Sequence, residues 1–326
     1  MIDAGIVGGG GYTAGELIRL LLHHPEINLD FVYSRSQGGK PVSSIHQDLV
    51  GEADFAFADA VNTDVDVIFL CMGHGNSRPF LEENPLPEEV KIVDLSRDFR
   101  LKEDDTHGNN RQFIYGLPEL NYDSISKTDQ VANPGCFATG IQLALLPMAD
   151  NKKLLEDVNI HAITGSTGAG QKPRSTTHFS WREGNVSIYK AFTHQHLDEI
   201  KQSVGQLQGV YNQDINFIPM RGNFTRGIFV SAYTKTDLTE HEAVELYKEY
   251  YSDAQFTHVS PEPLHLKQVV NTNKCILHVE KHGDNLLVTS IIDNLLKGAS
   301  GQAVHNMNLM LGLPEDTGLQ LKSSYF

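Results

Sequence analysis

Residues 2–33 read IDAGIVGGGGYTAGELIRLLLHHPEINLDFVY, and the fold turns on them. IDAGIV is a strand-like run, GGGGYTAG a glycine turn, ELIRLLL an apolar helical pattern ended by Pro25, and INLDFVY a second strand. Strand, turn, helix and strand make one βαβ unit of the usual size, the setting that a dinucleotide fingerprint requires. Glycines there let the backbone approach a pyrophosphate resting on the helix N-terminus. Gly8 and Gly11 take the first two places of a G-x-x-G-x-x-G variant, with Tyr12 and Thr13 opening the helix. Ala14 takes the third place; its methyl is small enough for close helix–strand packing, and Gly15 leaves the register open by one residue.

The end of the second strand chooses the cofactor. NAD binders place an acidic residue there for the ribose hydroxyls, whereas this strand runs into Ser34, Arg35 and Ser36. Hydroxyls and a guanidinium suit a 2′-phosphate, so NADP is expected over NAD. The runs VDVIFLCMG and VKIVDLS continue the pattern, alternating with polar segments compatible with helices. The expectation is an α/β unit with an open, doubly wound parallel sheet of the Rossmann type. Ligands gather at the carboxyl ends of such strands, and DLSRDFR (residues 94–100) offers Ser96, Arg97 and Arg100 there as an anion clamp.

Composition bounds the rest. A chain of 326 residues suggests two compact units. Its 26 Lys and Arg against 41 Asp and Glu leave a net charge of −15, which argues against nucleic acid or an anionic membrane as partner. MIDAGIVGGG carries no basic leader and no apolar run approaches membrane-spanning length, so the cytoplasm is the expected location. Three scattered cysteines form neither a disulfide framework nor a paired metal motif. Cys71 and Cys275 sit in apolar, strand-like runs and are expected in the core.

Cys136 is different. It follows Asn133-Pro134-Gly135 directly, and Phe137, Ile141, Leu145 and Met148 behind it repeat with helical spacing. A thiol at a helix start meets unpaired N–H groups and the positive end of the macrodipole, which favour the thiolate. Turn context alone leaves a nucleophile and a small packed residue both open. Beyond it come the glycine-rich GSTGAG and then THQHLDEI, where His194 and His196 flank Gln195 and Glu199 lies one helical turn past His196. A carboxylate there can orient an imidazole, and a Cys/His pair is the usual way to activate a thiol. The H-x-H spacing lacks a convincing third zinc ligand, so no metal is expected. INFIPMRGNFTRGIFVSAYTKT and CILHVEKHGDNLLVTSIID imply long strands of a second, large sheet, with EHEAVELYKEYY a helix between them.

In the order GGGGYTAGEL, SRSQGGKPVS, DLSRDFRL, YGLPEL, ANPGCFAT, GSTGAG, HQHLDEI, PMRG and KGASGQAVHNMNLMLG, these segments resemble the N-acetyl-gamma-glutamyl-phosphate reductases of arginine biosynthesis, relatives of the aspartate-semialdehyde dehydrogenases. The resemblance runs nearly the whole length; Ala14, and Arg97 where the family more often carries alanine, depart from it. It implies an NADPH-dependent reduction of an acyl phosphate to a semialdehyde through a thioester on Cys136, with His196 or His194 moving protons and His196 preferred because Glu199 can orient it. Arg100 matches an arginine that relatives use near the phosphate, Arg221 of PMRG is a second anion-binding candidate, and Gly301 and Gln302 are placed near the nicotinamide. It further implies an NADP-binding domain of residues 1–135 completed by 299–326, an α+β catalytic and oligomerisation domain of residues 136–298, and a homodimer or homotetramer. The acyl group (acetyl or succinyl) and the chain length of the acid, with aminoadipyl or aspartyl phosphate as alternatives, stay open. A Cys/His acyl hydrolase would have no use for the glycine cradle, and an NADP-binding redox sensor none for the H-x-H pair.

Overall fold

A computed structural model describes residues 1–105 and 111–326. The chain divides into two compact units, Met1–Pro134 with Ala299–Gln320, and Gly135–Gly298 with Leu321–Phe326. The last six residues, expected with the first unit, go with the second, where the Ser324 N–H donates to the Val270 carbonyl at 3.0 Å.

The first unit runs β1 (Ile2–Val7), α1 (Tyr12–Leu22), β2 (Ile27–Tyr33), β3 (Val67–Leu70), α2 (Ser77–Glu83), β4 (Lys91–Asp94), β5 (Ile114–Tyr115), α3 (Pro118–Ile125) and β6 (Gln130–Ala132). Its sheet has the order β2-β1-β3-β4-β6-β5 with every pairing parallel. β3 is buried at every position and β4 at three of four, as expected of strands covered on both faces, and their near-continuous apolar reading has the same cause. The strand order reverses between β1 and β3, the point where doubly wound sheets bind ligands. The helix Ser300–Met310 also belongs here and is buried along its whole length. Two of its polar side chains are tied to the unit: Asn306 Nδ2 donates to the Gly116 carbonyl at 2.9 Å, and Asn308 Oδ1 lies 3.1 Å from His24 Nε2.

The second unit comprises α4 (Cys136–Asp150), β7 (Val158–Thr164), α5 (Phe179–Arg182), β8 (Ser187–Ile188), α6 (His196–Gln208), β9 (Ile215–Arg221), β10 (Ile228–Lys235), α7 (Glu240–Tyr250), β11 (Thr257–Val259), β12 (Cys275–His282) and β13 (Asn285–Ile292). Its mixed sheet has the order β11-β12-β13-β10-β7-β9-β8. β7, β9 and β10 alternate buried and more exposed residues, the signature of a sheet with one face on a core. Helix α4 is buried from Phe137 to Ala149 and contains Pro147, which has no N–H to offer the Leu143 carbonyl four residues back. The Tyr251 hydroxyl takes that carbonyl at 2.6 Å, and the Tyr247 hydroxyl takes the next, Ala144, at 2.5 Å, so α7 repairs what the proline breaks. Thr239 and Glu242 close a capping box on α7. Cys275 is buried in β12 as expected, but Cys71, just past β3, is only half-buried.

Candidate active site

Cys136 is the first residue of α4, and Gly135 is its N-cap. The N-cap offers no side chain and the first turn holds no acidic residue, so the thiol stands at the positive end of the helix, with the Glu199 carboxylate bonded to the Gly135 N–H beside it. Two glycines crowd the turn. A Cβ on Gly135 would stand 2.3 Å from His196 Nε2, and one on Gly298 would stand 2.8 Å from Cys136 Cβ. Only hydrogen at these two positions lets an imidazole and a thiol come this close to the turn. Gly298 is the first glycine of the KGASGQ motif, and it makes room for the Cys136 Cβ and the Asn294 backbone.

His196 begins α6 and is buried together with Glu199. Glu199 Oε2 accepts the Gly135 N–H at 2.9 Å, and its Oε1 lies 3.9 Å from His196 Nε2. That approach is electrostatic, being longer than a hydrogen bond, so the carboxylate touches the thiol turn and the imidazole together. His194 is set otherwise: its Nδ1 accepts the His196 N–H at 3.2 Å, and its ring stands edge-on to Phe137, Tyr189 and Phe217. Burial, with the Lys190 charge second, pulls its pKa down to about 4, which keeps it neutral near pH 7. The geometry therefore distinguishes the two histidines where spacing did not.

The anion-binding candidates divide. Ser96 is fully buried; its hydroxyl donates to Asp94 Oδ2 at 2.7 Å and accepts the Asp98 N–H at 3.0 Å, so it holds the Asp94 carboxylate and is not open to an anion as expected. Burial lifts the Asp94 pKa to about 6 against the opposing hydrogen bonds of Ser77 and Ser96. Arg100 is buried too and donates from Nε to the Asn133 carbonyl at 2.8 Å and from Nη2 to the Leu95 carbonyl at 3.0 Å, bracing the segment just before the thiol turn. Arg97 is exposed. Arg221 ends β9 with its guanidinium carbon 3.8 Å above the Tyr189 ring. Tyr189 and Arg182 were not foreseen. Their segment, TTHFSWREGNVSIYKAF, has no motif spacing, and only the pairing of β8 with β9 carries it to Arg221.

In the first unit, the turn after β1 forms a cradle. Gly8 has φ +95°, and a Cβ there would lie 2.6 Å from the Cys71 backbone carbon at the end of β3, so this glycine is required where the sheet reverses. A Cβ on Gly11, the N-cap of α1, would meet nothing within 4 Å, and Ala14 is fully buried, as the third place of the fingerprint demands. Tyr12 is exposed, and the Thr13 carbonyl accepts the Ser300 hydroxyl at 2.7 Å, which brings the start of the helix Ser300–Met310 to the cradle. Ser34 is buried with Oγ 3.6 Å from where a Gly10 Cβ would stand, while Arg35 and Ser36 are exposed and Arg35 makes no hydrogen bond or ion pair with the described residues. Gly301 and Gln302 are buried, and both polar atoms of the Gln302 amide lack a partner among the described residues. An open helix N-terminus, an unengaged guanidinium at the β2 end and an amide awaiting partners fit a dinucleotide with a 2′-phosphate. Among the described residues no group of three His, Cys, Asp or Glu side chains is placed to hold a metal ion, and no helix is long and apolar enough to cross a membrane.

Comparisons with known proteins agree with this geometry. Residues 3–128 match the semialdehyde dehydrogenase, NAD binding domain, and residues 136–294 match the semialdehyde dehydrogenase, dimerisation domain. An aspartate semialdehyde dehydrogenase II from Vibrio cholerae shares the fold with a TM-score of 0.70 at 15% identity, covering 96% of this chain and 99% of its own. The aspartate semialdehyde dehydrogenase with NADP from Candida albicans gives a TM-score of 0.69 at 13% identity over 95% and 98%. The N-acetyl-gamma-glutamyl-phosphate reductases of Christiangramia forsetii and Bacteroides thetaiotaomicron are 59% and 57% identical, each over 100% of both chains. With that identity along the full length, and with both domains matched, the chain belongs to the N-acetyl-gamma-glutamyl-phosphate reductases, a family of semialdehyde dehydrogenases.

Proposed function

We propose that this enzyme converts an N-acyl-gamma-glutamyl phosphate, foremost the N-acetyl compound, to the N-acylglutamate 5-semialdehyde with release of phosphate, in arginine and ornithine biosynthesis. The observation that carries the mechanism is Cys136 at the first position of α4, with His196 packed on the preceding glycine and Glu199 bonded to that glycine's N–H. The Cys136 sulfur attacks the acyl carbon, its proton passing to His196, and the carbon–oxygen bond to phosphate breaks with the electron pair leaving on phosphate. Phosphate departs with that proton, and a thioester remains. NADPH, when bound on Gly8, Gly11, Tyr12, Thr13, Ala14, Ser34, Arg35, Ser36, Gly301 and Gln302, supplies the hydride that reduces this carbon. His196, reprotonated from solvent, steadies the oxyanion of the resulting hemithioacetal, whose carbon–sulfur bond then breaks to free the aldehyde, the departing sulfur taking that proton to restore the thiol. Glu199 holds the imidazole and the Gly135 turn in one register, and His194, kept neutral, anchors the His196 backbone. Arg97, Arg100 and Arg221 supply positive charge to the anionic substrate, Arg100 chiefly by bracing the turn; the buried Ser96 supports Asp94. The matched dimerisation domain supports a homodimer or homotetramer, and the lack of a membrane-spanning helix among the described residues accords with work in the cytoplasm.

The test is NADP reduction in the presence of N-acetylglutamate 5-semialdehyde and phosphate. Wild type is expected to turn over only when phosphate is present, and Cys136→Ser to lose nearly all activity while binding NADPH normally. More than about a tenth of the activity in Cys136→Ser contradicts the nucleophilic role.

A further inference from the structure

The glycine run after β1 is held in shape by a side chain 37 positions further on. The Gly8 and Gly9 N–H groups both donate to the Tyr33 carbonyl at 2.9 Å, which fastens the first half of the turn to the end of β2. The next peptide, between Gly9 and Gly10, has a single hold among the described residues: its carbonyl accepts from His46 Nε2 at 2.7 Å. A carbonyl only accepts, so Nε2 carries the proton. His46 is 6% exposed and lies between two short helical turns, Val42–Ser44 and Gln47–Leu49. Its ring centroid is 6.3 Å from that of Phe57, and its Nδ1 faces α1 at Gly15, where a Cβ would come within 2.6 Å. Glycine is a poor helix residue, and at this position its missing methyl is what admits the imidazole. No described peptide bond is cis, and a trans peptide points its N–H opposite its C=O. Gripping the Gly9 carbonyl therefore turns the Gly10 N–H to the other side of the loop, where neither it nor the Gly11 N–H has a hydrogen-bond partner among the described residues. Four consecutive glycines are the loosest backbone a chain can offer, and a peptide between two of them is free to turn over when nothing holds it.

We propose that His46 is a positioning residue for the dinucleotide: by holding the Gly9 carbonyl it presets the Gly10 N–H for the pyrophosphate of NADP. This rests on the dinucleotide reading of the cradle. The imidazole acts from behind the loop, through the backbone, and removes in advance the freedom that binding would otherwise have to remove. For one residue that is worth about a factor of ten in affinity. Gly15 is the other half of the device, since its hydrogen leaves the place that the ring occupies.

The experiment is calorimetric titration of NADP, and separately of adenosine 2′-monophosphate, into wild type, His46→Leu and His46→Gln. His46→Leu fills the site without a donor and should weaken NADP about tenfold, while adenosine 2′-monophosphate, which has no pyrophosphate, should change less than about threefold. His46→Gln, whose amide nitrogen reaches the place of Nε2, should bind NADP within about threefold of wild type. NADP affinity in His46→Leu within about twofold of wild type overturns the assignment. So does an equal loss for both ligands, or a glutamine variant as weak as the leucine one, since the bulk of the ring and not its donor would then matter. If His46→Leu does not fold, Gly15→Ala gives the reading instead: alanine suits a helix, its methyl would displace the imidazole, and NADP should again weaken about tenfold. Unchanged NADP affinity in Gly15→Ala overturns the assignment. Absence of NADP binding by wild type removes the dinucleotide reading and the assignment with it.

Discussion

Replacing Gly135 by alanine isolates the contact on which the site rests. Its backbone, at φ −71° and ψ 146°, is ordinary for alanine, so the substitution should by itself stabilise the fold by about 0.4 to 1 kcal/mol. The new methyl, however, would stand 2.3 Å from His196 Nε2 and 2.7 Å from Cδ2 and Cε1. Carbon and nitrogen pack at roughly 3.5 Å, so the imidazole must retreat by about 1 Å. It has little room, with the His194 ring centroid 4.6 Å away, Phe137 at 6.3 Å and Glu199 Oε1 at 3.9 Å. Overpacking of this kind costs about 1 to 3 kcal/mol, leaving a net loss of up to about 2.6 kcal/mol, and a 1 Å displacement of a reacting group costs roughly 10²-fold in rate. Steady-state turnover with phosphate, NADP and the acylated semialdehyde, measured beside thermal unfolding, separates the two effects. The double variant Gly135→Ala/His196→Ala should unfold at a higher temperature than the sum of the single changes predicts, because the clash is gone, yet remain inactive. A Gly135→Ala enzyme with wild-type turnover and an unchanged or raised unfolding temperature would refute the placement of His196 against the thiol turn.

Arg35→Ala should weaken NADPH by about 1.5 to 3 kcal/mol and leave NADH nearly unchanged, which initial rates with each cofactor will show. His194 is held at a pKa of about 4 against its ordinary 6.5, so its protonation favours the unfolded chain, and the stability it preserves above pH 6.5 is lost as pH falls from 6.5 toward 4. In His194→Asn, whose amide oxygen can still accept the His196 N–H, the fall in unfolding free energy across that window should be shallower by at most about 3 kcal/mol; an identical slope would mean that His194 titrates normally.

How much of this was legible beforehand follows from the range of the interactions. The βαβ opening, the glycine turn and the helix start at Cys136 are local, and periodicity with turn chemistry reveals them. The long strands of the second sheet are visible for the same reason, since alternation records one buried face. Other features depend on contacts between distant segments. Glu199 reaches Gly135 across 64 positions, and Gly298 meets Cys136 only in the fold. Ser96 and Arg100 look like surface anion ligands in DLSRDFR because a sequence does not show burial; Asp94, at the end of a covered strand, draws the serine inward. Arg182 and Tyr189 carry no motif at all, and it is the register of β7, β8 and β9 that brings them to Arg221.

The central claim is a covalent one, and it is tested most directly by mixing the enzyme with N-acetyl-gamma-glutamyl phosphate in the absence of NADPH, quenching in acid and recording the intact mass. A thioester on Cys136 predicts a rapid release of one phosphate per active site, a mass increase equal to the N-acetylglutamyl acyl group, its location on the peptide containing Cys136, and its disappearance when NADPH is added before the quench. Phosphate release with no mass increase, or an acyl group found on another residue and still present in Cys136→Ser, would contradict it.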